Sequence, residues 1–198
     1  MRTTQRSLML TGLLLGLGAS LAAAQHPQIR QGFWISFGLG YGSAHLTCDS
    51  CTNTTVGGVA GFIRLGGTLR PNLRLGGEID GWTHHYSATT TLPSADEVVS
   101  NVTAAVYFYP MPASGLFLKG GLGISNYYFT CCGGSVTGTG AGFIAGLGYD
   151  IRVGRNFSIT PTGDLWYGHV GDVKSAGLLQ GTDWKQAVVS FGLGATFH

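Results

Sequence analysis

The sequence predicts an all-β fold, an eight-stranded antiparallel up-and-down transmembrane β-barrel preceded by a signal peptide. Three observations predict it. Apolar residues alternate with small or polar ones through eight segments, as in the last of them, where Ala187, Val189, Phe191, Leu193, Ala195 and Phe197 interleave with Val188, Ser190, Gly192, Gly194 and Thr196. Strand side chains leave on opposite faces with period two, so each segment has one apolar face and one small or polar face. The connections between segments are alternately short and long, the pattern of a barrel with short periplasmic turns and longer outer loops. Glycine supplies 34 of 198 residues, far above the usual ~7%, and glycine at that level penalises helices.

At the N-terminus, Arg2 and Arg6 precede an apolar stretch from Leu8 to Leu21 that ends in Ala22-Ala23-Ala24. A positive start, a short apolar middle and an A-x-A end describe a secretory leader cleaved before Gln25. The stretch falls short of the ~20 apolar residues a spanning helix needs. The expected organisation is therefore a signal peptide over 1–24 and one barrel domain over 25–198. Two of the 11 basic residues leave with the leader, so the cations of the mature chain equal its 9 acids. That balance excludes the clustered positive charge on which nucleic-acid binding rests.

The strands follow in order. Gly32 to His45 carries Phe33, Ile35, Phe37, Leu39 and Tyr41 on one face, and Val56 to Leu69 carries Val59, Ile63, Leu65 and Leu69. Leu73 to Ser87 presents Leu73, Leu75 and Ile79; Val98 to Pro110 presents Val102, Ala104, Val106 and Phe108; Leu116 to Phe129 presents Leu116, Leu118, Leu122 and Ile124. Ala141 to Val153 adds Phe143, Ala145, Leu147, Tyr149 and Ile151, Phe157 to Val170 adds Ile159, Leu165 and Tyr167, and Trp184 to Phe197 closes the set. Arg70-Pro71-Asn72, Met111 to Gly115 and Gly154-Arg155-Asn156 are the short turns. Leu46 to Thr55, Ala88 to Glu97, Thr130 to Gly140 and Gly171 to Asp183 read as the long outer loops.

The opposite face collects the strand charges, Arg64, Arg74, Lys119 and Arg152 against Glu78, Asp80, Asp150 and Asp164. A soluble barrel such as a lipocalin would turn its apolar face inward. Charges confined to one face and balanced there predict a polar interior, plugged by one paired network. Gly-Leu-Gly recurs at 38–40, 121–123, 146–148 and 192–194, each time with leucine outward and both glycines inward. An eight-stranded barrel is only just wide enough for its own side chains, so small inward residues make room for long charged ones. No nucleotide-binding glycine string is present. Tyr41, Phe108, Tyr128, Tyr167 and Phe197 lie outward near strand ends, as interfacial girdles would.

With these features the chain resembles the small eight-stranded outer-membrane β-barrels of the OmpA/OmpX type, grouped as outer membrane protein beta-barrel domains, over its whole mature length. The resemblance implies a location in the cell outer membrane after export to the periplasm. It also implies contact with outer-membrane lipid and lipopolysaccharide, and a final strand read by the barrel-assembly machinery through Phe191, Leu193 and Phe197. His198 departs from the pattern by following the terminal aromatic. Where the sequence stops, it resembles a barrel without the peptidoglycan-binding domain of larger members.

All four cysteines fall in predicted outer loops, Cys48 and Cys51 in the first, Cys131 and Cys132 in the third. The oxidising periplasm favours disulfides, four cysteines allow three connectivities, and adjacent cysteines close only a strained ring. The expectation is a bond joining Cys48 or Cys51 to Cys131 or Cys132. A bond within Cys48–Cys51 and a four-cysteine zinc site, which departs from the usual paired spacing, are the alternatives. His85-Tyr86-Ser87 resembles the His-x-Ser element of lipid A deacylases, but Ala88 stands where that pattern has Asn. A serine nucleophile needs a base and an orienting acid, and Glu97 is the nearest candidate. His84 is expected inside the lumen. The reading ranks a non-enzymatic surface barrel first, with no cofactor or metal and an extracellular ligand or surface as a partner of its outer loops. An OmpW-like channel for small or hydrophobic solutes, which Phe62, Arg64, Trp82, Lys119, Asp164 and Trp166 would occlude, comes second. A lipid A esterase comes third.

Overall fold

The computed structural model describes residues 30–49, 51–90 and 93–198; the expected signal peptide lies outside them. Nine strand segments follow in order: β1 (Phe33–Thr47), β2 (Thr54–Arg70), β3 (Leu73–Tyr86), β4 (Ala95–Phe108), β5 (Leu116–Cys131), β6 (Gly134–Tyr149), β7 (Ile151–Gly154), β8 (Phe157–Ser175) and β9 (Leu178–Phe197). Consecutive segments pair antiparallel except β6 and β7, and β1 pairs with β9 from Ile35↔Phe197 to Thr47↔Lys185, which closes the sheet. Both β6 and β7 run along β8, so they form one wall and the barrel has the eight expected. Closure leaves no edge and satisfies the backbone within the wall, the condition for spanning lipid with strands.

The break between β6 and β7 has a cause in β8. Rungs run as far as Gly148↔Thr162 and resume at Ile151↔Ile159, so the gap lies opposite Pro161, which has no N–H to donate. On its other side the strand stays tied, Asp150 N donating to Gly115 O at 2.9 Å.

The faces sort as the alternation predicts. Leu39, Leu122, Leu147 and Leu193 of the four Gly-Leu-Gly strings are exposed outward, with Phe37, Ile63, Val102 and Phe191, on a surface that in a membrane meets lipid. Tyr41, Phe108, Tyr128 and Phe197 are exposed as the girdle reading requires, while Tyr167 is half-buried against Phe143. The inward glycines permit strand approach. A Cβ on Gly123 would overlap the Val102 carbonyl oxygen and sit 2.7 Å from Thr103 Cα.

Two of the four expected outer loops are not loops. β5 and β6 stay paired to Cys131↔Gly134, and β8 and β9 to Ser175↔Leu178. Two-residue turns join them, Cys132-Gly133 with φ of 59° and 78°, and Ala176-Gly177 with φ of 48° and 82°. Positive φ at both central residues matches strand twist in such hairpins. The composition of these stretches, rich in Gly, Ser and Thr, reads as loop, yet inward Val170 and Val173 pack against the barrel core and keep the ladder going.

The cysteine expectation is corrected for the same reason. Cys48 is bonded to Cys51, while Cys131 and Cys132 stand side by side at the tip of the β5–β6 hairpin, with no bond between the loops. Because Cys131 is held in the ladder up to the hairpin tip, it does not lean across the mouth. The first loop instead bends onto the neighbouring strand, Asp49 N donating to Thr182 O at 3.2 Å, and the Cα atoms of Cys48 and Cys51 lie 5.4 Å apart, within the usual disulfide range.

Replacing Gly123 by alanine is expected to block closure between β4 and β5, so that the refolded protein lacks the compact band that shifts on boiling in gel electrophoresis. Gly77→Ala, at an outward glycine with open space around it, keeps that band.

Candidate functional site

The lumen is the site the fold constructs, and it is built in layers. At the floor, Arg74 Nη1 donates to Tyr109 OH at 3.0 Å, Tyr109 OH donates to Asp150 Oδ2 at 3.0 Å, and Thr160 Oγ1 donates to Asp150 Oδ1 at 2.9 Å. Arg30 reaches in beside them, its guanidinium 3.8 Å over the Tyr109 ring and hydrogen-bonded to the Pro112 and Ser114 carbonyls. Arg152 donates to the Arg155 carbonyl at 3.2 Å. Trp34, Tyr107 and Phe117 pack against this floor. His198, the residue beyond the terminal aromatic, turns into it: Nδ1 accepts from Arg74 Nη2 at 2.5 Å and Nε2 faces Ser158 Oγ at 3.0 Å.

At mid-height, Arg64 lies between two acids, its Nε 2.6 Å from Glu78 Oε1 and its Nη2 2.6 Å from Asp164 Oδ2. Lys119 Nζ bonds Glu78 and lies 3.0 Å from Asp164 Oδ1, while Tyr107 OH donates to Glu78 Oε2 at 2.7 Å. Arg64 also stacks 3.6 Å over the Phe62 ring. Each of these charged side chains is at most 4% exposed, which charged groups tolerate only when paired and hydrogen-bonded.

All eight predicted lumen charges are thus buried and inward, but the single balanced network is corrected to two. Arg74, Arg152 and Asp150 belong to the floor; Arg64, Lys119, Glu78, Asp80 and Asp164 form the middle. The long ladder of β3 separates Arg74 from Glu78, and the Trp34, Tyr107 and Phe117 rings fill the space between the layers.

The outer half of the lumen corrects the expectation of a polar interior. Around a small polar cluster, in which Ser125 Oγ donates to Asn101 Oδ1 and Gln186 Nε2 to Ser125 Oγ, Trp82, Val99, Ile144, Trp166, Val170, Val173 and Val188 form an apolar core. Trp82 Nε1 donates to the Gly42 carbonyl at 3.1 Å and Trp166 Nε1 to Ser190 Oγ at 3.4 Å, so neither indole is stranded. As expected, Phe62, Arg64, Trp82, Lys119, Asp164 and Trp166 are all buried together.

On the outside, four cross-strand polar pairs ring the barrel toward its outer end, one on each hairpin. They are His45–Thr55 at 2.8 Å, His85–Asp96 at 2.8 Å, Asn126–Thr139 at 2.9 Å and His169–Asp183 at 2.9 Å. The acid facing His85 is therefore Asp96, directly opposite it in the β3–β4 register. Glu97 points inward and accepts from Tyr86 OH at 2.8 Å and Tyr127 OH at 2.7 Å. His84 accepts the expected inner position, its Nδ1 2.7 Å from the Gly57 carbonyl.

This architecture defines a class, the small integral barrels of the outer membrane. The chain belongs to the family described as Outer membrane protein beta-barrel domain, which matches residues 11–197, and the protein is one of the outer membrane. The match begins within the stretch read as a leader. No curated protein matches the sequence. Among solved structures it is similar to Ail, the attachment invasion locus protein of Yersinia pestis, at 19% identity and TM-score 0.59, covering 84% of this chain and 99% of that one. Neisserial surface protein A is similar at 15% identity and TM-score 0.53, covering 85% and 98%, and OprG of Pseudomonas aeruginosa at 14% identity and TM-score 0.54, covering 87% and 100%. At these identities the likeness is one of fold.

Removing Arg64 leaves three carboxylates facing one cation, so Arg64→Met is expected to cost on the order of 3–5 kcal/mol in unfolding measured in detergent. Glu78→Ala costs less, because Asp164 still holds both cations. Combining Arg64→Met with Glu78→Met recovers part of the loss, since the stranded charge goes too.

Proposed function

We propose that this is a non-enzymatic surface barrel, closed to solutes, that acts through its outer end in adhesion or envelope integrity. The observation that carries the reading is the filled lumen, in which two voids beside the charge layers, one against Asp80 and one against Arg74, are of about 10 Å³ each. That is roughly room for a single water. What such a barrel offers a partner is its exterior: the Cys48–Cys51 loop, the loop after β3 and two hairpins carried outward by continued pairing, with Leu178 and Leu179 exposed at one tip. An extracellular ligand or surface is the partner proposed for them. For Ail, a complex with the heparin analogue sucrose octasulfate is known.

The lipid-facing band and the polar belt above it suit acyl chains and the phosphorylated headgroups of lipopolysaccharide, respectively. Phe191, Leu193 and Phe197 face outward, where the assembly machinery would read them.

His85 and Asp96 do not make Ser87 a nucleophile in this reading. Theirs is one of four pairs at similar positions on four hairpins, and the others, such as Asn126–Thr139, have no catalytic counterpart. A channel for hydrophobic solutes stands second. The observation in its favour is an apolar groove of about 650 Å³ on the outer wall, lined by Leu147, Tyr149, Pro161, Leu165 and Phe191 beside the β6–β7 break.

The deciding experiment reconstitutes the refolded protein in a planar bilayer. Currents at background are expected; large, stable single-channel currents would promote the channel reading. The same preparation, incubated with lipid A, is expected to release no fatty acid, and release that Ser87→Ala abolishes would overturn the non-enzymatic reading.

A further inference from the structure

The middle layer of the lumen carries one negative charge more than its cations balance. Arg64 and Lys119 face Glu78, Asp80 and Asp164, with the neutral Tyr107 phenol completing the set of titratable groups around them. The two cations are committed to Glu78 and Asp164. Asp80 is left at the margin: Oδ1 lies 4.0 Å from Arg64 Nη2, and Oδ2 has no hydrogen-bond partner although the residue is 1% exposed. A buried carboxylate oxygen in that condition is costly unless something positive or a donor meets it.

The surroundings of Asp80 are suited to a small cation. One oxygen from each of Glu78, Asp80 and Asp164 lies within 4.8 Å of the others. A cavity of about 10 Å³ adjoins Asp80 and Asp164, bordered also by Thr162 and Ser190. Thr162 Oγ1 is a second buried oxygen there without a hydrogen-bond partner. Oxygen-only donors select hard cations. A divalent ion would reverse the charge imbalance rather than cancel it, and calcium asks for six to eight oxygens. The space admits one atom-sized occupant.

We propose that the cavity beside Asp80 is a binding site for one monovalent alkali cation of about sodium's size, held by Asp80 and Asp164 carboxylate oxygens with the Thr162 and Ser190 hydroxyls. The ion neutralises the middle layer and completes the plug. It binds the folded barrel and not the unfolded chain, so it stabilises by mass action. The inference presumes a closed lumen, and the conductance measurement tests that premise separately.

The experiment follows thermal loss of the compact electrophoretic band at constant pH and ionic strength, comparing sodium chloride with choline chloride, whose cation is too large for the cavity. The unmodified protein is expected to unfold about 3 °C or more higher in sodium. Asp80→Asn, which removes the excess charge, and Thr162→Val, which removes a ligand without changing charge, should both erase the difference. Equal midpoints in the two salts for the unmodified protein would overturn the proposal and assign the balancing charge to a proton. A sodium effect that persists undiminished in both variants would place the ion elsewhere and overturn it too. If neither variant folds, equal midpoints in the two salts for the unmodified protein still overturn the proposal.

Discussion

The constraint on which the rest of the structure depends is that an eight-walled barrel has no spare interior. Backbone pairing is complete only when β1 meets β9, and the ring that results is barely wider than the side chains it encloses. Every second residue of every strand points into that space. Long side chains therefore fit only where their neighbours are small, and charges persist only where an opposite charge is within reach. Gly40, Gly66, Gly123 and Gly140 stand where an added Cβ would overlap the neighbouring strand. They belong to the same solution as Arg64 and Lys119, since the room one gives up the other takes.

From that constraint the layers follow. Near the periplasmic turns, arginines also reach the carbonyls of the turns, as Arg30 and Arg152 do. At mid-height the charges pair with one another. Toward the outer end the plug becomes apolar, and the packing of Trp82, Trp166, Val170 and Val173 extends past the height of the polar belt. That same packing keeps β5–β6 and β8–β9 paired beyond the point where their composition suggests loop. The rigid hairpins at the surface are thus a continuation of the core.

Much of this was legible in the sequence because period-two alternation is a local property. Strand identity, the inward direction of all eight charges, the outward leucines of the Gly-Leu-Gly strings and the eight-walled closure all follow from it. What escaped is what alternation cannot encode. The apolar outer layer did leave a signal, in the windows where both phases are apolar: Val98-Val99, Phe143-Ile144 and Ala187-Val188-Val189. A run without alternation marks a strand buried on both faces. The division of the charges into two clusters depends on height in the barrel, hence on strand stagger. The same holds for Asp96 as the partner of His85, which required the β3–β4 register across a loop of unspecified path. The cysteine pairing turned on whether residues 130–140 form a loop or a ladder, and Gly, Ser and Thr in that stretch are compatible with either.

The central claim is that the lumen is filled and dry from Lys119 to Trp82, and solvent exchange of its own side-chain protons measures that most directly. In nitrogen-15-labelled protein refolded in detergent micelles, the account predicts that the Lys119 ammonium, the Arg64 Nε–H and the Trp82 and Trp166 indole N–H protons exchange slowly with water. The Lys185 ammonium, paired with Asp183 but 40% exposed on the outer surface, should exchange fast. Fast exchange at Lys119 and Arg64, matching Lys185, would show that water runs through the barrel and would contradict the account.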